Sequence, residues 1–288
     1  MKNSAKKKKK LISFVLVLGA ATALHFPGLA QVTELMLLVE RVSKQLDLHP
    51  KYDSWKASVT SITTKMDKNW KPQKVTTVKK IIKVFNKERT EEIIQALETE
   101  KGKTKDITEK YIKEAKKQKE KEKKKERERK INEEKEKNRR SLELTWEEIF
   151  PFNEEKRINY DFLKLEDSYI DERPVYVLKS RAKIKDEKLY EGKYYICKDR
   201  FDVLKIILKP SKNPKYVKEF EIEMSFEALP QGYFVLRKSK ARIDGGIFIK
   251  RIRMTTEEEY SNYEIMNSKY TEDPEVQKAL EKFQKVME

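Results

Sequence analysis

The chain has 288 residues, 40% of them charged and 38% hydrophobic, with a formal net charge of +17. Two histidines, one cysteine and seven glycines exclude a multi-histidine metal site, an internal disulfide and a glycine-rich phosphate cradle.

The first thirty residues read as a secretory signal. Lys6–Lys10 form a basic run, Leu11–Ala23 is apolar, and small residues suited to cleavage follow at Ala21/Ala23 and at Gly28/Ala30. The second cut is preferred, because Pro27 ends the apolar run ahead of it. An uncleaved anchor is the competing reading, but the run falls short of the roughly 20 residues of a full span. Export places the protein in the periplasm or cell envelope. Cleavage removes six lysines and leaves +11, of which the segment 104–140 alone carries +7, from 17 basic and 10 acidic residues. Outside the cytoplasm such a charge suits an anionic membrane surface or cell-wall polymer, and argues against nucleic acid.

Val32–Leu48 repeats apolar residues at three and four, with Leu35, Leu38, Val39, Val42 and Leu46 on one helical face, and His49-Pro50 stops it. Tyr52–Asn69 reads as extended, with Trp55, Ala57, Val59 and Ser61 on one face. Val75–Phe85 is a second strand after the Trp70-Lys71-Pro72 turn; Thr90–Glu100 suits either a strand or a short helix, and the Lys101-Gly102-Lys103 turn after it favours a third strand. Ala115–Arg140 is almost wholly Lys, Glu, Arg and Gln. Opposite charges three and four apart favour an exposed helix, and no apolar seam supports a coiled coil, so the stretch is a solvated helical arm or is partly disordered. Leu142–Phe152 then gathers Leu142, Leu144, Trp146, Ile149, Phe150 and Phe152, a cluster expected to plug into the core.

From Asn159 the pattern is all β. Strands are expected over Asn159–Ser168, Arg173–Ile184, Lys193–Cys197, Val203–Lys209, Val217–Leu229, Gly232–Asp244 and Ile247–Tyr263, with Asp244-Gly245-Gly246 among the turns. Short turns between regular strands indicate an antiparallel meander leading to a sandwich or a barrel. In Phe220–Glu227, Phe220, Ile222, Met224 and Phe226 alternate with Glu221, Glu223, Ser225 and Glu227, so one face is wet and the other meets apolar material. Pro274–Met287 closes the chain as a short amphipathic helix. Cys197, in a Tyr-Tyr-Ile-Cys run, reads as a buried strand residue. Once the signal is removed, His49 is the one histidine, beside a proline. Asp199 and Asp202 flank Arg200 in a turn and read as structural. No catalytic residue, metal site or cofactor is assigned.

The run Arg173-Pro174-Val175-Tyr176-Val177-Leu178, Glu191-Gly192-Lys193-Tyr194-Tyr195-Ile196, Phe201-Asp202-Val203-Leu204-Lys205, Phe220-Glu221-Ile222-Glu223 and Leu229-Pro230-Gln231-Gly232-Tyr233 resembles the outer-membrane lipoprotein-sorting proteins of the LolA/LolB-like fold. The likeness covers Thr33–Arg89 weakly and Tyr160–Tyr263 more firmly. It implies a mostly β protein with helices: an incomplete antiparallel β-barrel, or half-barrel, wrapped around a helix. The departure is the long charged helical arm inserted in it. The implied organisation is a signal at 1–30, a helix and first strands at 31–103, the charged insertion at 104–141, the remaining strands at 142–270 and a terminal helix at 271–288. The implied function is a non-enzymatic envelope protein that binds lipid or lipoprotein acyl chains in an apolar hollow. The candidate lining is Trp55, Val59, Tyr176, Leu178, Phe220, Ile222, Met224 and Phe226. The alternative is a structural or interaction protein with a packed sheet and a basic docking arm.

Overall fold

A computed structural model describes residues 27–50, 52–85, 88–132, 150–247 and 250–266. The signal segment up to residue 26, the span 133–149 and the C-terminal helix expected at 271–288 lie outside the described residues.

The chain divides into two units, residues 1–40 and 41–288. Helix α1, Pro27–Leu48, begins in the first and ends in the second. Pro27 is the first residue of this helix. Its fixed φ suits a first turn, and its missing N–H costs nothing there. The boundary expected at residue 30 therefore falls inside α1.

The rest is mainly β. Strands β1 (Ser54–Met66), β2 (Pro72–Phe85), β3 (Glu88–Glu100) and β4 (Lys103–Asp106) form a first meander. Helix α2, Thr108–Asn132, and the single turn α3, Glu154–Arg157, follow. A second meander comprises β5 (Tyr160–Lys164), β6 (Ser168–Ile170), β7 (Arg173–Ala182), β8 (Tyr190–Cys197), β9 (Val203–Pro210), β10 (Val217–Ala228), β11 (Phe234–Ile247) and β12 (Lys250–Met266). All twelve belong to one antiparallel sheet ordered β4-β3-β2-β1-β12-β11-β10-β9-β8-β7-β5, with β6 beside β7. The first strand of the chain pairs with the last, which joins the two meanders. The sheet is not closed: among the described residues β4 pairs with β3 alone and β5 with β7 alone.

Three expectations are corrected. Asp244-Gly245-Gly246 is not a turn but part of β11. A Cβ on Gly245 would lie 2.9 Å from the Tyr216 carbonyl oxygen, so the glycine serves a close backbone approach. Asn159–Ser168 is not one strand, since it breaks after Lys164, and the three-residue β6 forms a hairpin with β7 through Asp171 and Glu172 at φ 46° and 64°. The charged insertion does not begin at 104, because residues 103–106 are edge strand β4. A two-residue turn with Lys101 at φ 51° and Gly102 at φ 76° sets this hairpin. Thr108 then ties α2 to the sheet, its hydroxyl accepting from the Ala96 N–H at 3.0 Å.

Candidate functional site

The register gives the sheet two chemically distinct faces. One row runs across ten strands through Lys164, Leu178, Tyr194, Ile206, Met224, Ser239, Glu258, Ser61, Val78 and Ala96. Strand side chains alternate between faces, so this row defines an aromatic face. The opposite, charged face carries ion pairs: Lys205–Glu223 at 2.6 Å, Lys240–Glu257 at 2.7 Å, Lys56–Glu264 at 2.9 Å and Lys83–Glu92 at 3.3 Å. A satellite core on that charged face gathers Val175, Val177, Cys197 and Leu204 under Leu165 and Ile170. Cys197 is buried there, as expected.

At one end of the aromatic face the chain supplies its own cover. His49 stacks on Phe234 at 4.9 Å, Phe234 on Phe226 at 5.1 Å, and Phe226 meets Phe150 at 5.7 Å. Phe152 continues the chain of rings to Tyr194 at 4.9 Å and Phe162 at 5.9 Å. Phe152 is 1% exposed and Tyr194 fully buried. Phe150 and Phe152 thus plug the core as the sequence led one to expect, while Leu142–Ile149 lie outside the described residues. Burial raises the Tyr194 hydroxyl pKa well above its ordinary range.

The end of α1 is latched to the strand turns of the same unit. The His49 Nε2 lies 2.9 Å from Asp202 Oδ1 and its Nδ1 3.0 Å from the Gly232 carbonyl. Gln45 donates to Asp202 Oδ1 at 2.9 Å, and Arg200 lies 3.0 Å from Oδ2. Asp202 is buried, and these partners satisfy it. Tyr52 donates to the Phe234 carbonyl at 3.1 Å, and burial pushes its hydroxyl up to about 12.

Across β12, β1, β2 and β3 the same face turns polar. Lys80 bridges Glu91 at 3.2 Å and Glu258 at 3.5 Å, Tyr260 donates to Glu258 at 2.8 Å, and Arg89 Nε donates to Glu91 at 3.1 Å. Burial pushes the Glu91 carboxyl up, but the Lys80 and Arg89 charges outweigh it and hold it below the usual range. Burial, reinforced by Glu258, raises the Tyr260 hydroxyl. Val59, Ile82 and Tyr260 pack beside this network, with Trp55, Val84, Leu236 and Tyr263 against them.

The eight residues expected to line a hollow share the aromatic face, but their cover differs. Leu178, Val59, Met224 and Phe226 are buried, whereas Trp55, Tyr176, Phe220 and Ile222 are half-buried. Trp55 meets Tyr263 at 5.7 Å. Tyr176 stacks with Phe201 at 6.4 Å, under the Lys164 and Lys198 ammonium groups. Sequence reading missed Ile243 and Met254, which extend the Phe220 row as half-buried partners on β11 and β12. It also missed the Lys80–Glu258 network. The first depends on the exact register of β10, β11 and β12, and the second on pairing β1 with the distant β12, which no local pattern displays.

Among the described residues no three His, Cys, Asp or Glu side chains are grouped to hold a metal ion, and no helix is long and apolar enough to cross a membrane. No family model matches the chain and no curated protein matches it. Solved structures do align with it. An outer membrane lipoprotein-sorting protein domain from Vibrio parahaemolyticus is 11% identical over 79% of this chain and 92% of its own, with a TM-score of 0.36. A LolA superfamily protein from Nitrosomonas europaea is 12% identical over 79% and 92%, at 0.35. A DUF1329 family protein from Desulfovibrio piger is 12% identical over 82% and 96%, at 0.37.

Proposed function

We propose that this is a non-enzymatic protein of the cell envelope, exported by its N-terminal segment, that binds lipid or lipoprotein acyl chains on the half-covered part of its aromatic face. The observation that carries this reading is a gradient along β10. Met224 and Phe226 are buried, Phe226 beneath Phe150, while Phe220 and Ile222 on the same face are only half-covered. A chain of CH₂ groups laid there leaves water at a gain of about 0.8 kcal/mol each. Methionine and aliphatic side chains adapt to a flexible tail, and Met254 supplies one beside Ile243. Trp55, Val59, Tyr176, Leu178, Met224 and Phe226 then act as the floor and walls of this region. In this reading the charged helix α2 serves as a solvated arm. The described side chains from Lys113 to Lys121 are exposed, which suits contact with an anionic membrane surface through residues 104–140.

Uptake of an environment-sensitive fluorescent fatty acyl probe tests the reading. A charge at Met224 would test folding, since that side chain is buried. Ile222→Glu is the separating variant: uptake is lost while the melting temperature stays within a few degrees of the wild type. No uptake by the wild type leaves a packed interaction protein instead, and full uptake by Ile222→Glu removes this face as the acyl site.

A further inference from the structure

The half-covered rim carries its own polar end. Phe220 on β10 pairs with Ile243 on β11, Ile243 with Met254 on β12, Met254 with Lys65 on β1, and Lys65 with Lys74 on β2. Neighbouring strands lie about 4.8 Å apart, so the row from Phe220 to Lys65 covers about 14 Å. Three apolar side chains lead into Lys65 within the reach of one dodecyl chain, and Lys74 lies one strand beyond it.

The two lysines are not equivalent. Lys74 is held by Glu98, whereas Lys65 is exposed and has no acidic partner among the described residues. Like charges directly opposite in a sheet are destabilising. Elsewhere on this face a partly buried cation is neutralised, as Lys80 is by Glu91 and Glu258. The Lys65 ammonium is the free charge at the end of the apolar row.

We infer that the preferred ligand is an anionic amphiphile, whose tail covers Phe220, Ile243 and Met254 while its carboxylate or phosphate head meets Lys65. This rests on the acyl-binding reading above and adds the class of head group. An exposed contact of this kind strengthens binding up to about fivefold and is screened by salt. It sets which amphiphile is held, while the tail sets whether one is held.

The test uses the full chain and three dodecyl compounds below their micellar concentrations: dodecyl phosphate, dodecanoate and neutral monododecanoylglycerol. Calorimetric titration should show both anions binding severalfold more tightly than the neutral compound at low salt. Lys65→Gln should erase that preference while leaving the neutral affinity unchanged. Lys79→Gln, an exposed lysine of the opposite face, should leave it intact. Equal affinities in the wild type, or a preference that survives Lys65→Gln, would overturn the head-group assignment and spare the acyl-binding reading. Binding of none of the three would overturn both. Displacement of dodecyl phosphate by equimolar inorganic phosphate would mark a simple phosphate site and overturn the inference.

Discussion

The aromatic face is two surfaces joined edge to edge. Across β7 to β10 it is an apolar interior: Leu178, Tyr194, Ile206, Leu208, Met224 and Phe226 are buried, and Phe150 and Phe152 lie among their rings. Across β12 to β3 the corresponding positions include Glu258, Ser61, Thr63, Lys80 and Glu98, and Lys80 neutralises Glu91 and Glu258 there. Thr63 and Thr256 even share a hydroxyl contact at 3.3 Å. The first half is covered by the rings of Phe150 and Phe152, whereas the second mixes buried Val59, Val78, Ile82 and Ala96 with paired charges. Half-covered apolar side chains remain at the junction, and a ligand is most naturally held there.

Breaking the sealed half should cost most. Phe152→Ala removes a ring that is almost wholly buried and should lower stability by about 3–5 kcal/mol in urea unfolding. A cost under 1 kcal/mol would show that the plug is peripheral. The latch at the end of α1 comes next. His49→Ala strips a charged-group hydrogen bond from buried Asp202 and should cost about 1.5–3 kcal/mol. On the polar half, Lys80→Met leaves Glu91 and Glu258 facing one another without their shared cation. The loss should be near 1 kcal/mol and should be recovered in the double variant with Glu258→Leu. Failure of that recovery would mean the network is not a closed unit.

The smallest effect concerns pH. The hydrogen bond from Arg251, against the opposing pull of burial and with further support from Arg253, lowers the Asp244 carboxyl to about 2. A depressed folded-state value stabilises above the unfolded value near about 3.9 and is lost as pH falls through the folded one. The wild type should therefore lose melting temperature between pH 4 and pH 2 more steeply than Asp244→Asn. Parallel pH profiles would remove this aspartate from the account.

The sequence displayed what is local. Alternation placed Phe220 to Phe226 on one face, and Lys101-Gly102 marked the end of β3, because both signals act within a few residues. Helix α2 was legible through its helix-forming Lys and Glu. Three-residue β6 and four-residue β4 were not, being too short to show a period. Gly245 misled, because a glycine pair reads as a turn unless the approaching Tyr216 backbone is known. Ile243 and Met254 join the Phe220 row through the consecutive pairs β10–β11 and β11–β12, whose register the misread glycine pair obscured. Membership of Lys65 depends on pairing β1 with β12, some 200 residues apart in the chain. The eight candidate residues share a face in the structure, but their division into buried and half-covered required the Phe150–Phe152 cover.

The most direct test is photolabelling of the full chain with a diazirine-bearing dodecyl phosphate, followed by peptide mapping. The account predicts labels on Phe220, Ile222, Ile243 and Met254, with Phe152 and Tyr194 unlabelled. Labels confined to the ring cluster around Phe152, or spread over the charged face without preference, would contradict it.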